Sequence, residues 1–385
     1  MKNILVTLFT FLAFQTAISA NCPDNITFTS QAEVNAFPTT FPNCARIDGN
    51  VTISGSDITS LSGLSNLTFI GGALTIQDNP LLATLTGLNN LQEVGNRIII
   101  NNNAQLSDLN GLNNLMSVSQ SLIISNNTNL SGITALSNLN EVGSDLVIEN
   151  NKLSNLNGLQ GITTVGSSVV IKNSIGLVNL QGLNNLHTIV RNLQISNNSH
   201  LLTLAGLNNL TFIGSIQGGS GVGSLIIEQN WQLQNITDLQ SLGLIGSDLY
   251  ISTNPVLDTC TTWGICNYIN NPNGVITIQE NTGVCRSLDE LMLECENYVG
   301  VIEAKPDVYI FPNPVSDMLR IRYEGSSPAE AVLYDALGRV HLRQKINSQG
   351  ATPDIILDMS HLPAGIYMLK IHSITQAVSR KIMKY

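Results

Sequence analysis

The sequence predicts a mainly β protein in two unlike parts, a solenoid of about nine short coils followed by a small β-sandwich. Three observations predict it. The phrase Gly-Leu-Asn-Asn-Leu, or a near variant, returns every 23–24 residues between Gly63 and Leu210. A short apolar step of the Leu-x-Ile kind ends at Ile53, Ile76, Ile100, Ile124, Ile148, Ile171, Ile195, Ile227 and Ile251, at intervals of 23 or 24 residues except for one of 32. Composition then changes after Tyr298. Ten of the 17 Lys and Arg lie beyond residue 300, whereas Ser54 to Pro255 holds only Arg97, Lys152, Lys172 and Arg191.

Residues 1–20 read as a secretory signal peptide. Lys2 supplies the positive start, Ile4 to Ala13 the apolar stretch, and Ile18-Ser19-Ala20 the small residues of a cut site. The stretch is too short to anchor in a membrane. No later segment reaches transmembrane length without Asn or charge.

Residues 21–50 are the expected N-terminal cap, because terminal coils of a solenoid need covers. Six cysteines flank the repeats and none lies inside them. In an exported chain an even count reads as disulfides. The spacing pairs Cys22 with Cys44 and leaves the partners among Cys260, Cys266, Cys285 and Cys295 open. Zinc is the competing reading, but no His sits near either group and no Cys-x-x-Cys occurs, so neither metal nor cofactor is expected.

Residues 51–255 are the solenoid. In a three-residue strand such as Ile98–Ile100, the two ends face the core and Ile99 faces out. Stacked coils place like strands side by side, about 4.8 Å apart. Three residues after each strand marker comes Asn79, Asn103, Asn127, Asn151, Asn198, Asn230 or Asn254, with Ser56 and Ser174 in two coils. An inward Asn satisfies backbone groups at a bend, so this column is structural. Gly71, Gly95, Gly143, Gly166, Gly214 and Gly246 mark corners where a side chain would clash or φ is positive. The 32-residue interval holds Gly218 to Gly223, read as a projecting surface loop.

Residues 256–298 are the expected C-terminal cap. Ser287-Leu288-Asp289-Glu290 is a capping box, after which Leu288, Leu291, Met292 and Cys295 share a helical face. A second short helix is expected near Ile265 to Ile269. Val275 to Asn281 echoes the repeat strand as a tenth, degenerate coil. Residues 299–307 form a linker containing Pro306. Seven short strands then follow across residues 308–385, with turns such as Ala336-Leu337-Gly338, which argues for a sandwich.

The unit Leu88-x-x-Leu91-x-x-Val94-Gly95-x-x-Ile98-x-Ile100-x-x-Asn103-x-x-Leu106-x-x-Leu109 resembles leucine-rich repeats, and more closely the receptor L-domain family, over about residues 45–260. The resemblance implies a right-handed solenoid of the kind found in receptor ectodomains and exported bacterial proteins. Extra residues between Leu91-x-x-Val94 and Ile98 depart from ordinary leucine-rich repeats. They leave open whether the other faces are strand or irregular turn, and little helix is expected there.

The tail carries Phe311-Pro312-Asn313-Pro314-Val315-Ser316-Asp317-x-Leu319-x-Ile321, then Tyr334-Asp335-x-x-Gly338-Arg339, then Leu357-Asp358-Met359-Ser360-x-Leu362-Pro363-x-Gly365-x-Tyr367, and finally Lys381. These blocks resemble the type A C-terminal sorting domain of the type IX secretion system of Bacteroidetes-type bacteria. The resemblance implies an immunoglobulin-like fold read as an address by the outer-membrane translocon and its sorting protease. It implies cleavage within 299–307 and attachment of the body to surface lipopolysaccharide.

A formal charge of −10 with only 11% charged residues leaves no nucleic-acid footprint. No catalytic constellation stands out. The basic residues do not stack in register, and His187 and His200 sit in different parts of neighbouring coils. Glu93 and Glu141 recur two coils apart, near 10 Å by strand stacking and so poorly placed for a glycosidase pair. The positive feature is an outward row of Thr52, Thr75, Ile99, Ile123, Val147, Val170, Gln194, Ile226 and Tyr250. It makes an apolar stripe rimmed by polar groups, the pattern of a recognition surface, although β-branched residues also suit any open sheet face. Tyr250 and Trp231 could stack on a sugar or peptide. For Trp231, close in sequence to the glycine loop, inward packing is the preferred reading. The chain therefore reads as an exported, cell-surface or extracellular binding or adhesion protein for a glycan or protein ligand. A passive surface-layer or spacer protein is the alternative, and a polysaccharide-active enzyme stands third.

Overall fold

A computed structural model describes residues 22–217, 220–270, 272–297, 308–323, 329–335, 339–346, 355–373 and 377–385. The signal segment 1–20, the linker 299–307, Gly218 and Gly338 lie outside the described residues. The chain divides into two compact units at residue 298.

The first unit is a parallel β solenoid. Sheet A has eleven strands in sequence order: Ile26–Phe28, Val51–Ile53, Leu74–Gln77, Ile98–Asn101, Leu122–Ser125, Leu146–Glu149, Val169–Lys172, Leu193–Ser196, Leu225–Glu228, Leu249–Ser252 and Ile276–Gln279. All pair in parallel with their neighbours, and the Leu/Val/Ile at each inward position from Val51 to Ile251 is buried. Sheet B has nine two-residue strands, from Arg46–Ile47 to Leu244–Ile245, each ending in a buried Ile or Val. The second face of each coil is therefore strand, which the repeat left open. The leucines of the turns, such as Leu82, Leu85, Leu88 and Leu91, close one continuous core running from Phe28 to Leu291. A single coil has no partner for these side chains, so stacking supplies the burial.

The recurring phrase Gly-Leu-Asn-Asn-Leu has a physical explanation. Its Gly adopts a left-handed φ, +120° at Gly87 and +118° at Gly111, and its N–H donates to the first Asn two residues on, 3.0 Å from Gly87 to Asn89 Oδ1. The second Asn donates to a carbonyl of the preceding coil, as from Asn114 Nδ2 to Asn89 O at 2.7 Å and from Asn209 to Asn184 O at 2.7 Å. Where Ala135 or Asp238 stands at the Gly position, the left-handed turn is replaced by a 3-10 turn, Thr134–Leu136 or Thr237–Leu239. Residues with a Cβ avoid positive φ, but residue type alone does not set the turn, because Gly63 at the same position of the first coil also lies in a 3-10 turn, Ser62–Leu64.

The buried Asn column is a ladder. Asn127 Nδ2 donates to Ile100 O and Ser125 O, both at 2.9 Å, while its Oδ1 accepts from Asn103 N at 3.0 Å. The same pattern runs from Asn79 to Asn254 and ends on Asn281, which donates to Ile251 O at 2.8 Å. Ser174 is a buried member of the column. Ser56 is not: it is exposed, and the N–H of Gly55 takes its place on Asn79 Oδ1 at 2.9 Å. The first coil has one residue fewer between strand and ladder, which shifts the register.

The corner glycines are explained by close approach. A Cβ on Gly71, Gly95, Gly143, Gly166 or Gly246 would run into a carbonyl oxygen of the preceding coil, and only Gly214 of this column has a positive φ.

Both ends are capped. Strand Ile26–Phe28 extends sheet A, and helix α1, Gln31–Thr40, packs Phe37 edge-on against Phe28. This helix was not foreseen, although Ser30-x-x-Glu33 announces it. Ser30 Oγ accepts from Glu33 N, and Glu33 Oε2 accepts from Thr29 N at 2.6 Å. Thr29 N–H, followed by its hydroxyl, holds the Glu33 carboxyl below the usual carboxylate range. At the other end α2, Trp263–Asn270, and α3, Leu288–Asn297, flank strand Ile276–Gln279. Leu288, Leu291 and Cys295 of α3 meet the core as expected, but Met292 is 41% exposed. Disulfides join Cys22 to Cys44, Cys260 to Cys285 and Cys266 to Cys295.

The second unit is antiparallel. Strands Val308–Phe311, Met318–Tyr323 and Ile355–Asp358 form one sheet, and Val340–Ile346, Ala329–Asp335, Gly365–Ser373 and Ala377–Lys384 form another. Leu319, Ile321, Leu333, Leu369 and Ile382 share its core.

Candidate ligand face and sorting tail

The outward positions of sheet A fall into strict register. Thr27, Thr52, Thr75, Ile99, Ile123, Val147, Val170, Gln194, Ile226, Tyr250 and Thr277 are successive cross-strand partners. Ten strand intervals give a row of about 48 Å. From Thr52 to Thr277 every member is half-buried, as expected for side chains lying flat on an open sheet. Ile99, Ile123, Val147 and Val170 lie on four adjacent strands. Gln194 interrupts them, and Ile226 and Tyr250 follow. The end residues Thr27 and Thr277 were not in the sequence-derived row, because their strands belong to the caps.

A second row follows along the strand ends: Gln77, Asn101, Ser125, Glu149, Lys172, Ser196, Glu228, Ser252 and Gln279. Lys172 Nζ sits 3.3 Å from Glu149 Oε1 on the neighbouring strand. Both are partly exposed, and such a pair contributes at most about 1 kcal/mol.

A third row was missed entirely. Asp78, Asn102, Asn126, Asn150, Asn173, Asn197, Gln229, Thr253 and Glu280 have φ between 51° and 57°. The left-handed region is costly for most residues and cheapest for Asn and Asp among those with a side chain. The signal was the Asn doublet: in Asn102-Asn103, Asn126-Asn127, Asn150-Asn151 and Asn197-Asn198 the first residue makes the left-handed turn and the second enters the buried ladder. Side chains of this third row bond along the stack. Asn150 Nδ2 donates to Asn126 Oδ1 at 2.8 Å, Asn197 to Asn173 Oδ1 at 2.7 Å, and Asn102 to Asp78 Oδ1 at 2.7 Å.

Trp231 is 53% exposed, which corrects the expectation of inward packing. It follows ladder residue Asn230 in the turn after strand Leu225–Glu228, outside the outward row. That strand separates it in the chain from the hairpin of Ser215–Gln217 and Ser220–Val222, which carries the glycine loop. Its column neighbours are Ser199 and Pro255, set by the bonds Asn198 N to Asn230 Oδ1 and Asn230 N to Asn254 Oδ1. Glu93 and Glu141 share a row of sheet B with Ser117 between them, and both are exposed. Among the described residues no group of three or more His, Cys, Asp or Glu is placed to hold a metal ion. No helix among them is long and apolar enough to cross a membrane.

In the tail the motif residues have structural work. Asn313, between Pro312 and Pro314, clamps the last strand: Nδ2 donates to Lys381 O and Oδ1 accepts from Met383 N, both at 2.8 Å. Val315 then bridges Lys384. The carbonyl of Asp317 accepts from Met359 N. Arg339 Nε lies 2.6 Å from Asp335 Oδ2, which His341 Nε2 also meets at 3.0 Å. Leu362 is buried, Gly365 opens its strand, and Tyr367 donates its hydroxyl to Pro363 O at 2.8 Å. Lys381 is exposed and pairs with Met368. The Ser360 hydroxyl, then its N–H, lowers the pKa of Asp358.

Residues 43–131 match the family described as Receptor L domain, and residues 309–385 match the Secretion system C-terminal sorting domain. No curated protein matches the chain. The chain thus joins a receptor-L-domain, leucine-rich-repeat-like region to a type IX secretion, type A sorting domain, and it is a secreted, cell-surface protein. The first match ends at Ser131, while the register of sheet A continues to Gln279.

Proposed function

We propose that the protein is a cell-surface binding or adhesion module that recognises a glycan or a protein on the outward face of sheet A. The observation that best supports this is the row itself. Ile99, Ile123, Val147 and Val170, then Ile226 and Tyr250, lie half-exposed in register beside two polar rows, and recognition surfaces combine an apolar centre with a polar rim. Trp231 adds an exposed ring at the turn edge.

In this reading residues 51–255 form a right-handed solenoid of about nine coils, closed by caps at 21–50 and 256–298, and the protein is not an enzyme. Signal peptide 1–20 directs export. The tail, 308–385, is an immunoglobulin-like address for the translocon and its sorting protease. It is removed within 299–307, and the body is joined to surface lipopolysaccharide or released.

The test is capture of polysaccharides and surface proteins by the purified chain, beside a variant carrying Ile99→Ser, Ile123→Ser and Val147→Ser. Capture lost in a variant with an unchanged circular dichroism spectrum supports the face. Equal capture by both forms refutes it, and capture by neither favours a spacer role.

A further inference from the structure

The binding reading leaves two ligand classes open, and the three outward rows discriminate between them. Charge comes first. Residues 22–297 hold 6 Lys and Arg against 19 Asp and Glu, a net −13. The middle of the face avoids this charge, and Asp78, Glu228 and Glu280 stand toward its ends. Between Ile99 and Asn197 its three rows contain only Glu149 and Lys172, and those two neutralise each other. A neutral face on an acidic body repels polyanions and offers a polycation nothing to pair with.

Side-chain type comes second. Affinity at protein–protein interfaces concentrates in Trp, Tyr and Arg. The row from Ile99 to Gln194 has none of these. It offers β-branched methyl groups at about 4.8 Å intervals.

The carboxamides come third. Asn102, Asn126, Asn150, Asn173 and Asn197 are aligned by left-handed backbone; Asn102, Asn150 and Asn197 donate to the preceding member of the row, while Asn126 and Asn173 donate across to Asn101 Oδ1 and Glu149 Oε1 of the second row. A carboxamide has two N–H groups and two lone pairs. A stack bond takes one N–H from the donor and one lone pair from the acceptor, so hydrogen-bonding capacity remains at each rung. Pre-ordering lowers the entropy cost of using it.

Resting on the binding reading above, we propose that this face binds an uncharged polysaccharide. The chain lies along the solenoid axis, with the C–H faces of its sugars on Ile99, Ile123, Val147 and Val170 and its hydroxyls on the carboxamide row. Tyr250 provides one stacking ring toward the end of the row.

The test is affinity electrophoresis of the full secreted chain in gels holding xylan, laminarin or soluble starch as neutral probes and alginate as the anionic one, at low and high salt. The variant is Asn126→Gly with Asn150→Gly, which removes two carboxamides, suits the positive φ of both sites and leaves the buried Asn127 and Asn151 in place. Ile123→Ser is the second variant, and thermal melts check the folding of both.

We expect retention by at least one neutral glycan, insensitive to salt because no ion pair is involved. It should weaken about tenfold in the double variant, the effect of losing two neutral hydrogen bonds. Salt-sensitive retention by alginate alone, or retention by none of the gels while a protein is captured on the same face, overturns the neutral-glycan inference and keeps the face. Retention that neither variant alters overturns the face as well.

Discussion

Replacing Asn127 with alanine tests the ladder that holds the coils together. The side chain is fully buried. Its Nδ2 donates to Ile100 O and Ser125 O at 2.9 Å, and its Oδ1 accepts from Asn103 N at 3.0 Å and Asn103 Nδ2 at 3.1 Å. Alanine removes these four bonds and a longer one from Nδ2 to Asn151 Oδ1 at 3.5 Å, and leaves groups of neighbouring coils buried without them. A buried polar group stripped of its partner costs about 1–3 kcal/mol, and three such groups that relax in part give an expected loss of about 3–5 kcal/mol. Urea unfolding of the purified chain, followed by circular dichroism, measures it as a lowered midpoint with an unchanged slope. A loss below about 1 kcal/mol would refute the reasoning, because it would mean that water or backbone motion satisfies the coil without the side chain. The converse change is Ser174→Asn. It restores a carboxamide within reach of Ile148 O, the position matching Ile124 O for Asn151, and should stabilise by about 0.5–1.5 kcal/mol.

Gly111→Ala forces a Cβ onto the Leu85 carbonyl at φ +118° and should cost at least about 2 kcal/mol, whereas Gly132→Ala meets nothing within 4 Å and should be neutral or stabilising by up to about 1 kcal/mol; thermal melts of the two variants separate them. Asn313→Ala releases Lys381 O and Met383 N, so the last strand should fray and the exported fraction fall, read by immunoblot of cell and medium. Glu33 and Asp358 both have lowered carboxyl pKa values in the folded chain, so each favours the native state above the ordinary carboxylate range and loses that contribution as pH falls through its folded value. Acid titration of Glu33→Gln and Asp358→Asn chains should show a flatter acid arm of stability than the parent.

Much of the candidate face was legible because a strand alternates: once Ile98 and Ile100 face the core, Ile99 faces out, and a fixed repeat carries the assignment through every coil. The first coil shows the limit. Ser56 matches the ladder by counting, yet a turn one residue shorter gives the place to Gly55. Trp231 shows another. An aromatic near an irregular interval favours a packed reading, yet the position of its turn relative to Asn230 leaves Trp231 exposed. The left-handed row was written in the Asn doublets, but one Asn of each pair was enough to account for the period, so the other carried no separate signal.

By itself the sequence determined the repeat, the strand positions, the inward and outward faces and the two-part organisation, because these depend on local periodicity and on residue type. The tertiary structure alone decided which turns are left-handed and which are 3-10, how Cys260, Cys266, Cys285 and Cys295 pair, that strands Ile26–Phe28 and Ile276–Gln279 extend sheet A, and that Asn313 grips a strand some seventy residues away. Those outcomes depend on which backbone groups meet when coils or strands stack. A carbonyl that blocks a Cβ or accepts from a carboxamide belongs to a neighbour remote in sequence, and only folding brings it there.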